Sequence, residues 1–317
     1  MAMSNRNAAS AIEVQLLREG IVESVHRVHI AVTDSRGRVL TAAGSADTGS
    51  FARSALKPFQ AMAVTATGTL ETFKLTDQDL AIICSSHHGA IEQVRQVFNI
   101  LWRADIDPSA LQCPIPPGKT SPLEHNCSGK HAGLLAVCQQ RGWELNTYLR
   151  RNHPVQKLMF GKIAELLGMP PDEFIVAHDD CGTATYFMQL HQMATLFAKL
   201  ASGDSLEMER IVRAMTTYPT LISGPTGFDS QLMALAEGTL VSKSGAEGIQ
   251  CVGRVGQGMG LALKVLDGSK RAKYATALHV LRQLGWVSPA IADALADTYM
   301  VLNDYKRLDV VGDLALV

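Results

Sequence analysis

Charge is scarce in this chain: only 19% of its 317 residues are Asp, Glu, Lys or Arg, and 29 basic side chains against 30 acidic ones leave a formal net charge of −1. No basic field is available to hold a phosphate backbone or an anionic bilayer, so nucleic acid and membrane are not expected partners. Aromatic residues are only 6% of the chain, too few for a platform that stacks single-stranded bases. No window reaches the roughly 18 consecutive apolar residues of a membrane span. Residues 61–64 and 134–137 are both cut short by polar neighbours. Arg6, Glu13, Arg18 and Glu19 interrupt the start of the chain, which lacks the apolar core of a secretion signal. These absences imply a cytoplasmic protein that acts on small molecules. Its six cysteines, Cys84, Cys113, Cys127, Cys138, Cys181 and Cys251, are then expected as free thiols or metal ligands rather than disulfides.

What the chain has is apolar mass, 47% of it, enough for two domains or one large one, which argues against disorder. Residues 26–33 and 38–43 alternate or are β-branched and flank Asp34-Ser35-Arg36-Gly37, the composition of a hairpin turn. Helical periodicity follows over 90–103, 130–140, 155–167, 184–200 and 206–216. A short strand is read at 175–177, strand character returns at 239–243 and 259–266, and a helix is expected from about 270 to 284. The order is that of an α+β fold: an antiparallel sheet from about 20–45 and 239–266, with a helical region of about 54–236 as a second layer or lobe. The chain, 1–317, is read as a single unit, without repeat or linker. The proline-rich stretch 114–122 reads as a long loop.

Several segments have the composition of reactive sites. In Arg53-Ser54-Ala55-Leu56-Lys57-Pro58 the serine and lysine are three apart, on one face of a helix whose first turn Pro58 marks, with Ser54 as the expected N-cap. A neutral lysine there can deprotonate the hydroxyl, and the helix N-terminus stabilises the oxyanion. An ordinary cap beside a solvated lysine has the same spelling. Cys84-Ser85-Ser86-His87-His88-Gly89 closes an apolar run. His125-Asn126-Cys127-Ser128-Gly129-Lys130-His131 crowds a thiol, a lysine and two imidazoles ahead of an apolar helix. Asp179-Asp180-Cys181-Gly182 follows the short strand, where a site commonly lies. Cys127 and Cys181 suit zinc or are two buried thiols. Gly118-Lys119-Thr120 and the glycines at 256, 258 and 260 lack the spacing of phosphate loops. Lys243-Ser244-Gly245 resembles the K-[ST]-G strand of penicillin-recognising serine enzymes, or is a hairpin turn. Lys264 interrupts the apolar strand 261–266, where a charge is costly unless it faces a site or an edge.

Taken in order, Arg53-Ser54-Ala-Leu-Lys57-Pro58, Cys84-Ser85-Ser86-His87, Asn126-Cys127-Ser128-Gly129-Lys130-His131, Asp179-Asp180-Cys181 and Leu263-Lys264-Val-Leu-Asp267-Gly268 resemble the successive signatures of the Rhizobium-type, zinc-binding L-asparaginases. The opening Gly20-Ile-Val-Glu23-Ser-Val-His26-Arg27 extends the resemblance over nearly the whole chain. It implies a fold similar to serine β-lactamases and penicillin-binding proteins, and hydrolysis of L-asparagine to L-aspartate and ammonia. It carries over two Ser–Lys pairs, Ser54 with Lys57 and Ser86 with Lys264, and a zinc ion held by Cys127, Lys130 and Cys181. Arg53, His87 and Asp179 are the expected substrate-binding side chains, and a homodimer is the expected assembly. Ser86-His87-His88-Gly89-Ala90 has an imidazole where the family usually has a serine and lacks its carboxylate, and Gly224 to Ser230 lacks an expected arginine and threonine. Both departures bear on rate and amide preference. The competing readings are a Ser–Lys acylase, esterase or glutaminase, and a catalytically weak zinc- or small-molecule-binding homologue.

Overall fold

The computed structural model describes residues 10–317; residues 1–9, including Arg6, lie outside the described residues. The fold is α+β, and the chain divides into two compact units.

The first unit comprises the described residues up to Ala52, Met188–Ser202 and Ser242–Val317. Its sheet runs in the order Val301–Asn303, Lys306–Val311, Ile12–Arg18, Ile21–Asp34, Met259–Val265, Ile249–Arg254 and Leu240–Ser244. The 14-residue strand Ile21–Asp34 organises it. One edge pairs antiparallel first with Ile12–Arg18 and then, from Ile30, with Val39–Ala43. Its other edge takes Met259–Val265, with His29 opposite Lys264 and Thr33 opposite Gly260. The turn expected at residues 34–37 is present: Asp34 accepts from the backbone N–H groups of Arg36 and Arg38, and Gly37 has φ +84°. Ile30, Ala31 and Val32 are buried in succession, as are Leu261, Ala262 and Leu263, so both faces of the sheet's centre are covered. The helices Leu190–Leu200 and Lys270–Gln283 pack against these strands. Gly260 permits the first of these contacts, because a Cβ there would lie 2.0 Å from the Ala194 carbonyl oxygen.

The second unit, Arg53–Phe187 with Gly203–Val241, is mainly helical. The helix Asp77–Cys84 packs against Ile91–Arg103, Ser128–Arg141 and Leu206–Thr217. Its start is fixed by a capping box between Thr76 and Asp79. The Asp79 carboxylate, fully buried, also takes hydrogen bonds from Gln96 Nε2 (2.5 Å) and Arg103 Nη1 (2.7 Å).

The helical segments expected at 90–103, 130–140, 155–167 and 206–216 are observed as Ile91–Arg103, Ser128–Arg141, Pro154–Leu167 and Leu206–Thr217. The expected helix over 184–200 is corrected: Ala184–Gln189 is a strand, and helix begins only at Leu190. Partnership decides this, because Ala184, Thr185 and Tyr186 pair antiparallel with His178, Ala177 and Val176, and tertiary pairing overrides a local pattern. The sheet also extends beyond the expected segments, through Ile12–Arg18, Ile249–Arg254 and the three strands after residue 300. No helix among the described residues is long and apolar enough to cross a membrane.

Candidate active site

Lys57 is the centre of the constellation. Residues Arg53–Leu56 form a 3₁₀ turn that runs directly into the helix Lys57–Gln60, with Pro58 in its first turn as expected. The N-cap is Leu56, without a side-chain cap, so Ser54 is not the capping residue expected from sequence. Ser54 lies within that turn and Lys57 is the first residue of the helix that follows it. Lys57 is wholly buried, and its Nζ donates to Ser85 O (2.5 Å), Ser86 Oγ (3.0 Å) and Asn126 O (3.0 Å). Three acceptors match the three hydrogens of an ammonium. Ser54 is half-buried, and its hydroxyl makes no hydrogen bond among the described residues. The lysine expected to serve Ser54 is thus hydrogen-bonded to Ser86.

The position of Ser86 follows from two fixed points. The helix Asp77–Cys84 ends at Ser85, whose backbone turns extended and whose hydroxyl donates to Ile82 O (2.7 Å). The Ser86 N–H then donates to Ile222 O (2.7 Å). This helix end lies directly against the start of Ser128–Arg141, because a Cβ on Gly129 would sit 2.1 Å from Ile82 O. Glycine at 129 lets Lys57 reach carbonyls on both segments.

His87 acts as a brace in this turn. Its Nε2 bonds Ser128 Oγ (2.8 Å), while its Nδ1 accepts from the Gly89 N–H (3.1 Å). The accepted bond assigns the neutral Nε2–H tautomer. Burial, with the Lys57 charge adding to it, pushes the imidazole down to about 3. Both ring nitrogens of His87 are engaged inside the protein, one with Ser128 and one with Gly89.

Arg53 and the Asp179–Asp180 turn form the other wall. The guanidinium donates from Nε to Asp179 Oδ1 (2.7 Å) and from Nη2 to Asp180 Oδ2 (2.5 Å), and the Arg53 N–H donates to Thr185 Oγ1 (3.0 Å). Burial disfavours the charge on Arg53, but the two carboxylates outweigh it and hold the guanidinium above its usual value. Arg53 has φ +52°, a left-handed conformation that costs a non-glycine residue about 1 kcal/mol or more. Its hydrogen bonds hold it there. The Asp179-Asp180-Cys181 turn is at a strand tip, as expected, closed by Asp179 N–H to Thr183 O and Gly182 N–H to Asp179 O (both 2.8 Å).

Cys127, Lys130 and Cys181 meet in the interior. Lys130 Nζ donates to Cys181 Sγ (3.2 Å) and to Thr183 Oγ1, and the two sulfurs share a hydrogen bond. Cys181 is pulled far below the usual thiol value by that bond and the Lys130 charge, while Cys127 is pushed well above it. Burial opposes the Lys130 charge, but the Cys181 thiolate holds it raised. No group of three His, Cys, Asp or Glu side chains with metal-binding placement occurs among the described residues; three donors are reached here only by counting the lysine. Two sulfurs and an amine fit a soft divalent cation. The buried His131 Nε2 beside them has no hydrogen-bond partner in normal geometry.

The lysine expected to pair with Ser86, Lys264, belongs to the first unit, where its Nζ donates to Glu247 O (2.5 Å) and Val265 O (2.8 Å). Burial lowers it, against Glu247 and Asp267. Lys243 of the same unit is wholly buried, with Nζ donating to Ser244 O (2.9 Å). Its signal in the sequence was the Lys243-Ser244-Gly245 spelling.

Among solved structures the chain is similar to one described as Mglu in its native form, at 17% identity and a TM-score of 0.47 over 82% of this chain. It spans 64% of the length of that chain. It is also similar to a β-lactamase from Mycobacterium bovis, at 14% identity and a TM-score of 0.47, covering 86% of this chain and 95% of that one. No match is found among curated proteins. The family model for L-asparaginase II matches residues 14–316, a span that holds every segment of the constellation above. The chain belongs to the L-asparaginase II family.

Proposed function

We propose that the protein is an amidohydrolase that cleaves the side-chain amide of L-asparagine to L-aspartate and ammonia through a Ser–Lys centre. The observation that carries this reading is the wholly buried Lys57, 3.0 Å from Ser86 Oγ and one 3₁₀ turn from Ser54. Ser54 is the nucleophile: its hydroxyl lies ahead of the first helical turn. Lys57 must first give up one of the three protons it donates; in that neutral form it takes the Ser54 proton as Ser54 Oγ bonds to the amide carbon. The C–N bond then breaks, and the proton reaches the departing nitrogen through Lys57 and Ser86, releasing ammonia and leaving an aspartyl ester on Ser54. Water hydrolyses the ester and restores the serine. Arg53, charged and fixed by Asp179 and Asp180, is available to the substrate carboxylate.

Cys127, Lys130 and Cys181 would hold zinc, which when bound supplies a Lewis-acidic charge near the Arg53–Asp179 wall. The assembly is a homodimer, testable by light scattering.

The test is ammonia release from asparagine and glutamine. Ser54→Ala and Lys57→Met should each lower asparagine turnover about 10³-fold or more, with circular dichroism unchanged. Wild-type turnover in Ser54→Ala would overturn the nucleophile assignment, and faster release from glutamine would overturn the substrate.

A further inference from the structure

A cavity lies in the helical unit, on the face of the strand Ala184–Gln189 away from Arg53 and Lys130. Thr183 and Thr185 turn their hydroxyls to Lys130 and to the Arg53 backbone. Successive side chains of a strand point to opposite faces. Ala184 and Tyr186 accordingly line a separate cavity of about 190 Å³ together with Arg151, Gln156, Lys157, Phe160 and Val176. That volume is below the roughly 300–1,000 Å³ of drug-sized sites, and it limits an occupant to about the size of a single amino acid.

Three features define what the cavity recognises. One wall is apolar and rigid: Phe160 stacks on Tyr186 with centroids 5.0 Å apart, and Phe174 meets both rings edge-on. The mouth carries two exposed cations, Arg151 and Lys157, and neither has a carboxylate partner among the described residues. Both stand at the N-terminal end of the 14-residue helix Pro154–Leu167, whose dipole has the same sign. The third feature is Gln156, only 3% exposed, whose Nε2 donates to Tyr148 O (2.9 Å) while its Oε1 has no hydrogen-bond partner. The Tyr148 carbonyl fixes the amide orientation, since a flipped amide would set oxygen against oxygen. A buried acceptor left open is costly and calls for a donor.

We propose that this cavity binds a small monocarboxylate with a flat apolar body and one neutral O–H or N–H donor. The carboxylate meets Arg151 and Lys157, the body lies against Phe160 and Val176, and the donor satisfies Gln156 Oε1. A zwitterionic amino acid fits less well, because its ammonium would sit beside two cations with no carboxylate in the lining. The inference does not depend on the hydrolytic reading, since none of these side chains belongs to the Ser–Lys constellation.

The experiment is calorimetric titration of the full chain with 3-phenyllactate, which has carboxylate, ring and hydroxyl. The comparison ligands are 3-phenylpropanoate, which lacks the hydroxyl, and 3-phenyllactamide, which lacks the charge. Each omission should weaken binding about tenfold. Arg151→Ala with Lys157→Ala changes only exposed side chains and should weaken phenyllactate, but not the amide, by tenfold or more. Gln156→Met should erase the preference for phenyllactate over phenylpropanoate. No binding of any carboxylate at 10 mM, where the assay still detects weak sites of about 1 mM, would overturn the proposal. Equal affinity of wild type and the Arg151/Lys157 double variant would do the same. Ammonia assays play no part, so failure here leaves the proposed hydrolysis untouched.

Discussion

Acid should unfold this protein earlier than its carboxylates alone would require, and His87 provides the cleanest test. In the fold its imidazole is neutral, buried, and pushed down to about 3, whereas in the unfolded chain it titrates near its ordinary value of about 6.5. Between these values the unfolded state binds the proton and the folded state does not, so stability rises with pH across that window. The stabilisation is complete above about pH 6.5 and diminishes as pH falls towards 3. At about 1.4 kcal/mol per pH unit, His87 alone costs about 2 kcal/mol at pH 5 and about 3 kcal/mol at pH 4. Lowered carboxylates such as Asp267 act in a lower window, below their ordinary value near 4. The interval from 6.5 to 5 therefore isolates the histidines. The assay is urea unfolding at pH 7.5, 6.0 and 5.0 for the wild type and for His87→Asn, whose amide oxygen still accepts from the Gly89 N–H. The variant should be less stable at pH 7.5, having lost the bond to Ser128 Oγ, and its stability should fall less steeply with acid. Parallel slopes for the two proteins would refute the assignment of His87 as a neutral brace.

Gly129→Ala should destabilise by about 1–3 kcal/mol, since the new Cβ meets the Ile82 carbonyl at 2.1 Å, whereas Gly133→Ala, which meets only the flexible Ile83 side chain at 3.0 Å, should cost less. Thermal unfolding of the two variants separates them. Asp79→Ala should cost about 2–4 kcal/mol, as it removes the capping box and the buried partner of Arg103 together; a shift within about 0.5 kcal/mol would contradict that role. Metal analysis should give about one zinc per chain in the wild type and none in Cys181→Ala, while Cys138→Ala retains it.

The spelling of the chain exposes the chemistry more readily than its arrangement. Proline at 58 places the first turn of the Lys57 helix correctly, and the Asp179–Cys181 segment stands at a strand tip as read. Pairings between distant segments are not legible, because a side chain's partner depends on packing that no local pattern encodes. Ser54 and Lys57 are three apart in sequence, yet the hydroxyl on Lys57 belongs to Ser86, 29 residues away. The strand Ala184–Gln189 reads as helix until its pairing with Val176–His178 is known. Lys264 looks anomalous in an apolar strand, but its ammonium is satisfied by two backbone carbonyls. His87 is expected from sequence as a substrate contact, and its burial and its two partners, Ser128 and Gly89, are not legible there.

Rigidity and strain are divided between the two sides of Lys57. On one side, Ser86 is fixed by a helix end, by Ile222 and by His87's grip on Ser128, with Gly129 removing any spacer between the two helices. On the other, Ser54 follows a residue in a left-handed conformation and sits in a 3₁₀ turn, with its hydroxyl uncommitted among the described residues. A proton acceptor must keep its geometry through the reaction, while a nucleophile must move about 1.5–2 Å from contact distance to bond distance. The hydrogen-bonded lysine suits the first task and the uncommitted serine suits the second. The strain at Arg53 is held by its ion pair with Asp179, so Asp179→Asn should release it: Ser54 loses position, and kcat for asparagine falls more than KM rises. If Asp179 instead only served to orient Arg53 for binding the substrate carboxylate, the same variant would raise KM at unchanged kcat, and the left-handed residue would have no part in positioning Ser54.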